Sequence, residues 1–248
     1  MKVLIACEES QAICLAMRKR GHEAYSCDIQ ECSGNHPEWH VQDDALSIIN
    51  GNCTFQTMNG AFHIVERTWD LLIAHPPCTF LSNAGARWLY PQKGKIDHAR
   101  YVEGLKAKAF FMKFYNANCP RIAIENPLPS RIFELPPVSQ WIQPYEYQYT
   151  DDKTCFHPWT KKTGLWLKNL PLLVPVSPNA VPLAPYVPSG TSRKIKDKYG
   201  VAKRGADAKN RAKTFPGIAR AMSEQWLTNI ERGARQNAKA AKAGSFAF

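Results

Sequence analysis

The chain has 248 residues, 44% hydrophobic and 21% charged, which suits one globular domain with a substantial core or a core with a small appendage. No apolar run could cross a bilayer, Met1–Cys7 is too short and too soon acidic (Glu8, Glu9) for a secretory signal, and eight cysteines do not make a disulfide scaffold, so a cytoplasmic protein with reduced thiols is expected. The net charge of +11 is concentrated at one end: residues 1–190 carry 18 Lys/Arg against 17 Asp/Glu, and residues 191–248 carry 14 against 4. A basic segment beside a near-neutral body is the footprint of phosphate-backbone binding, although a solvated tail has the same composition.

In chain order, Lys2–Ala6 reads as a buried strand, and Ser10 opens a helical pattern (Ile13, Leu15, Ala16, Met17) that Gly21 ends. Glu23–Cys27 predicts a second strand ending at Asp28. Gly51–Thr68, with Asn59-Gly60 between alternating residues, predicts a hairpin. Trp69–Ala74 predicts a buried strand running into two prolines. Asp97–Tyr115 has helical spacing, and Arg121–Ile124 predicts a strand ending at Glu125. This alternation predicts an α/β fold with a doubly wound, mostly parallel sheet, whose ligands bind beyond the carboxyl ends of its strands. Residues 1–130 form the expected core. Residues 131–190, rich in proline, are expected as extended segments and loops that make a small recognition region. Residues 191–231 are expected as a basic linker and a closing helix from Thr214 to about Ile230, with 232–248 disordered.

The strand ends carry the chemistry. In His75-Pro76-Pro77-Cys78, two locked φ angles fix a turn directly after a buried strand and present the thiol at the sheet's edge. An isolated cysteine there would more often be structural. Glu125-Asn126-Pro127 ends the next strand, and a lone glutamate there would more often be a surface residue. Together, a thiol and a carboxyl at neighbouring strand ends suit attack on an electron-poor ring. The thiolate adds to the ring carbon, and the carboxyl stabilises charge developing on a ring nitrogen.

The run Asp70-Leu71-Leu72-Ile73-Ala74-His75-Pro76-Pro77-Cys78-Thr79-Phe80-Leu81-Ser82-Asn83-Ala84-Gly85 resembles the catalytic motif of the cytosine C5-specific DNA methyltransferases. Ile124-Glu125-Asn126-Pro127 is similar to that family's Glu-Asn-Val motif, whose glutamate contacts cytosine N3. The resemblance covers roughly residues 1–130, and the whole is most like the short members carried by phages and prophages. It implies a Rossmann-like, class I methyltransferase fold and transfer of a methyl group from S-adenosylmethionine to C5 of cytosine in DNA. Cys78 would be the nucleophile, with Glu125 and Asn126 in the catalytic set. The cofactor would meet Cys7, Glu8, Glu9 and Ser10 after the first strand, Asp28 and Ile29 after the second, Asp44, and His75 and Pro76. For Asp44, heading Ala45-Leu46-Ser47, a capping role is an equal reading.

The chain departs from the family in two ways. The first motif, Ala6-Cys7-Glu8-Glu9-Ser10, lacks the family's glycines, so the backbone is expected to approach the cofactor less closely. In place of the family's separate target-recognition domain, the proline-rich residues 131–190 are expected to serve for recognition. Lys161 and Lys162, with Ser82 and Arg87, are the expected substrate contacts, and Ser82–Arg100, which includes Trp88 and Tyr90, is the expected closing loop over an extruded base. Thr214–Met222 weakly resembles the family's closing motif, or is an ordinary capped helix. Double-stranded DNA in a bacterial or phage-infected host cytoplasm is the expected partner, with no membrane and no obligate protein partner. RNA, a free pyrimidine nucleotide, or a catalytically decayed nucleic-acid-binding homologue are the alternatives. Cys27, Cys32, His36 and His40 have spacing that could hold zinc, but without a Cys-x2-Cys knuckle no metal is expected. Amino-group methylation would need Asp, Asn or Ser before the two prolines and an aromatic after them, and His75 and Cys78 fail at both ends.

Overall fold

Nearly every side chain of Lys2–Ala6 (β1) is fully buried, as expected of a central strand covered on both faces. The computed structural model describes residues 1–186 and 213–244. In it, β1 pairs in parallel with Glu23–Asp28 (β2) and, on its other side, with Leu71–Ala74 (β6). His40–Gln42 (β3) continues the sheet beyond β2, and Ile122–Pro127 (β7) continues it beyond β6, both in parallel. Helix Ala12–Lys19 (α1) is followed by Gly21 at φ 79, the left-handed stop its sequence predicts. Asp97 caps helix His98–Tyr115 (α3), its Oδ1 accepting from the Arg100 N–H at 2.8 Å. Cys53–Gln56 (β4) and Phe62–Val65 (β5) form the expected hairpin, a separate two-stranded sheet.

Four expectations need correction. Residues 131–190, expected as extended segments and loops of a small region beside the core, belong to the core sheet: Gln140–Ile142 (β8) and Thr163–Lys168 (β10) complete it in the order β3-β2-β1-β6-β7-β10-β8. The β10 strand runs antiparallel to both β7 and β8, so the sheet departs from a plain doubly wound order by this inserted strand. The prolines that suggested loops flank these strands, while Leu165 and Trp166 are buried as core residues must be. Second, Glu125 does not end its strand, because pairing with β10 carries β7 through Pro127. Third, α1 begins at Ala12 with Gln11 at the cap, and Ser10 lies before it. Fourth, the final helix, Pro216–Gly244 (α4), continues past residue 230, since Ala, Lys, Arg and Gln are strong helix formers even where apolar periodicity fades. The basic run 191–212 lies outside the described residues. Trp159–Thr160 (β9) and Ala184–Pro185 (β11) form a small parallel pair, and Ala86–Leu89 (α2) is a single turn.

Strand alternation sorts the core into two layers. Val3, Ile5, Leu71, Ile73 and Ala123 pack with α1 and α4, whereas Leu4, Ala6, Leu72, Ile122 and Ile124 pack with α3 and the hairpin. The α4 helix contributes Ile218, Ala221, Met222, Trp226 and Leu227, all buried. Its first turn presses so closely on the Tyr147 carbonyl that a Cβ at Gly217 could not fit. Gly217→Ala is therefore expected to destabilise the protein by about 1–3 kcal/mol, read as a lower urea midpoint at unchanged slope. Among the described residues, no helix is long and apolar enough to cross a membrane.

Candidate active site

Parallel pairing of β6 with β7 puts Ala74 beside Ile124, so the residues that follow, His75 and Glu125, are also neighbours. Alternation turns Glu125 toward the α1/α4 layer and Asn126 toward the α3 layer. Each side chain then makes one bond to the segment around the two prolines. His75 Nδ1 lies 2.7 Å from Glu125 Oε2, and Asn126 Nδ2 donates to the Pro76 carbonyl at 2.8 Å. Beyond the prolines, the Cys78 carbonyl accepts from the Leu81 and Ser82 N–H groups, closing a turn around the thiol's residue. That turn is tied to the strand end opposite: Asn83 N–H donates to the Leu128 carbonyl and Ser130 N–H to the Leu81 carbonyl. Cys78 and Glu125 therefore belong to one braced unit.

The electrostatics of this unit are unusual for a buried place. Burial favours the neutral form of Glu125, but the hydrogen bond from His75 and the nearby Lys161 ammonium outweigh it and lower its pKa. Burial likewise opposes charge on His75, yet the Glu125 and Glu8 carboxylates outweigh it and raise its pKa. Both shifts run toward the charged forms, imidazolium and carboxylate. His75 Nε2 and Asn126 Oδ1 are buried with no hydrogen-bond partner among the described residues. Six other cysteines, Cys7, Cys14, Cys27, Cys53, Cys119 and Cys155, have thiols pushed up by burial, Cys119 to about 11 and Cys14 and Cys27 to about 12. Such thiols are poor nucleophiles at neutral pH.

The turn after β1 lacks glycine, yet Cys7 and Gln11 both adopt φ 58, the left-handed conformation that favours glycine. Gln11 is held there by its own amide, which donates to Ser26 Oγ and the His36 carbonyl and accepts from the His36 N–H. Nothing in the composition marks Gln11, and sequence reasoning missed it. Glu8 is 4% exposed, and its two oxygens accept from the Ile13 and Cys14 N–H groups, so it caps the first turn of α1. Glu8→Ala would orphan both donors, and a loss of roughly 2–4 kcal/mol is expected in chemical denaturation. A loss under about 0.5 kcal/mol would exclude the capping role.

The remaining expected cofactor residues gather at the ends of β1–β3. Asp28 and Asp44 both act electrostatically on Cys7, and Ile29 stands 75% exposed beside Asp28. Asp28 Oδ1 accepts from the Gln30 N–H, and Asp44 Oδ1 caps a short turn through the Leu46 N–H, so the capping reading of Asp44 applies. Glu9 is buried, its carbonyl accepting from Ser33 N–H, while Ser10 lines a cleft of about 550 Å³ with Ser33, Trp159, Tyr186 and Phe215. The two lysines diverge. Lys161 lies near the His75–Glu125 pair and 5.5 Å from the Phe215 ring, whereas Lys162 sits over the Trp141 ring at 4.6 Å. Ser82 is buried in the Cys78 turn, Arg87 and the exposed Trp88 lie in α2, and Tyr90 is exposed just beyond it. A second cleft, of about 660 Å³, runs past Phe80, Trp88 and Arg100. The zinc-like spacing is not realised as a cluster: His40 engages Ser26 Oγ and the Gln30 carbonyl, and His36 stacks on Trp39.

These features define the class of the chain: an α/β protein with a mostly parallel, Rossmann-like sheet and a polar site along its strand ends. No protein-family model matches it, and no curated protein matches it in sequence. Among solved structures it is similar to a protein from E. coli assigned as a DNA modification methyltransferase encoded within a prophage, with 13% identity and a TM-score of 0.39. The match covers 67% of this chain and 46% of that one, so this chain spans less than half of its length.

Proposed function

We infer that the chain transfers a methyl group from S-adenosylmethionine to C5 of cytosine in DNA, through a covalent bond between Cys78 and cytosine C6. The observation that carries this reading is the bracing of Glu125 and the Pro-Pro-Cys turn on adjacent strands, through the His75–Glu125 and Asn126–Pro76 bonds. Attack at C6 and stabilisation at N3 occur on opposite sides of one small ring, so thiol and carboxyl must keep a fixed separation. Six of the eight cysteines are disfavoured as nucleophiles by burial, and of the other two, Cys32 and Cys78, only Cys78 lies in the turn braced against Glu125.

The residues at the ends of β1 and β2 fit the cofactor. Asp28 offers a carboxylate suited to ribose hydroxyls, Ile29 an exposed apolar side chain for adenine, and the left-handed Cys7 and Gln11 a turn of the kind glycines usually build. When bound, S-adenosylmethionine supplies an electrophilic methyl group. Lys161 would hold the base or its phosphate near Glu125, Ser82 would fix the Cys78 turn, and Trp88 would help close the loop over the base.

Mechanism-based trapping tests the reading. Duplex oligonucleotides containing 5-fluorocytosine, incubated with protein and S-adenosylmethionine, should give a covalent adduct. An adduct on RNA alone would reassign the substrate. Tight cofactor binding by calorimetry with no adduct on DNA, RNA or nucleotide would remove Cys78 from the role of nucleophile.

A further inference from the structure

We propose that His75 and Glu125 act as one proton-carrying unit, in which His75 Nδ1 supplies, through the Glu125 carboxyl, the proton given to the ring nitrogen of a bound cytosine. This rests on the cytosine reading above and adds a role to His75, which the sequence had grouped with the cofactor residues. The starting point is a chemical difficulty. A glutamate held as a carboxylate can accept hydrogen bonds but has no proton to give, and Glu125 is held that way by its buried partner.

The geometry removes the difficulty. The Nδ1–Oε2 distance of 2.7 Å is that of a charge-assisted bond, across which a proton can pass without rearrangement. On the far side of the imidazole, Nε2 is buried with no acceptor among the described residues, so the bond to Glu125 is the one route the described residues offer the His75 proton. The groups that act on it are Glu125 from β7, Glu8 from the turn after β1, and Lys161 from the turn before β10. The Thr163 hydroxyl from β10 also bears on Glu125. Two carboxylates favour the loaded form, while Lys161 and burial oppose it. The balance runs toward the loaded form.

The step balances as follows. Cys78, its thiol proton given to solvent, bonds through Sγ to C6, the C5=C6 pair moves into C4–C5, and the C4=N3 pair moves onto N3. Glu125 takes the Nδ1 proton, and the neutral carboxyl so formed gives a proton to N3. The unit is left as neutral imidazole and carboxylate, one proton poorer. The C4=C5 pair then forms the C5–methyl bond and the N3 pair restores C4=N3. Solvent water takes the C5 proton, that C–H pair becomes C5=C6 as the thiolate leaves, and the N3 proton returns to the unit.

The expected pH dependence follows from the sign of the shift. His75 is loaded below its raised pKa, so turnover should fall as pH rises through that pKa and the unit empties. His75→Asn keeps a donor toward Glu125 but carries no exchangeable acid. At neutral pH its kcat should fall about tenfold or more, and its optimum should move to acid, where Glu125 can carry its own proton. KM for S-adenosylmethionine should stay within about twofold, since the unit acts on the ring. A purely structural His75 would lower kcat without moving the profile, and an unchanged kcat and profile in His75→Asn would overturn the proposal. A second arm needs no turnover and no His75 variant: ¹⁵N-histidine NMR of wild type and Glu125→Gln, with His75 expected to titrate lower in the variant. Identical titration in both would overturn the coupling. If the NMR coupling is found but wild type traps no 5-fluorocytosine substrate, the cytosine reading fails and the ring-protonation role fails with it, while the proton-sharing pair stands.

Discussion

Cys78→Ser is expected to form no adduct with 5-fluorocytosine DNA and to turn over about ten-thousandfold more slowly than wild type, or less. Serine nearly preserves the side chain's size. The turn itself is held by backbone bonds from the Leu81 and Ser82 N–H groups to the residue 78 carbonyl, and these survive the exchange. Stability and S-adenosylmethionine affinity should therefore be unchanged, within about 0.5 kcal/mol and twofold respectively. A hydroxyl is a far weaker nucleophile than a thiolate, and neither Cys14 nor Cys27, held up to about 12 by burial, can replace it. Single-turnover methyl transfer from labelled cofactor measures the effect. Residual activity above about a tenth of wild type would show that the bond to C6 is made elsewhere or not at all.

Glu125→Gln should reduce kcat by a factor of about 10² to 10⁴ while leaving cofactor affinity intact. The amide has the carboxyl's shape, so β7 and its pairing with β10 should persist. What is lost is the negative charge that holds the proton on His75 and the acid that delivers it. Removing one partner of a buried pair also leaves the other uncompensated, and a stability loss of about 1–3 kcal/mol is expected near neutral pH. As pH rises and the imidazole becomes neutral anyway, that difference should shrink. Normal turnover in the variant would remove Glu125 from the mechanism.

The sequence made the parallel part of the sheet readable because β1, β2, β6 and β7 are short apolar runs ending in polar groups, and α1 has both periodicity and a terminal glycine. It made β10 hard to read: Thr163–Lys168 is six residues among prolines, and nothing local says that it will run against β7. Antiparallel insertion is a tertiary outcome, set by burying Trp166 and by closing β7's open side. The site divides the same way. Cys78 and Glu125 stand out in the sequence because each follows a short apolar run, one through two prolines and the other directly. The roles of Glu8 and His75 do not, since one carboxylate turns back on its own helix and the other meets a histidine fifty residues away. Gln11 was hidden for a further reason. A left-handed residue other than glycine leaves no compositional mark, and only its buried amide bonds reveal why the backbone tolerates it.

The β10 strand has a further consequence for how the protein can be dissected. A fragment ending near residue 130 would contain every motif and yet leave β7 as a naked edge, its backbone donors and acceptors open beside Glu125. Such a fragment would tend to pair with copies of itself, and the stretch around Ile122–Pro127 would be the first to aggregate. Any smaller unit cut from this chain must therefore keep a strand with no catalytic motif, and because α4 closes the other core layer, its C-terminal limit lies no earlier than Leu227.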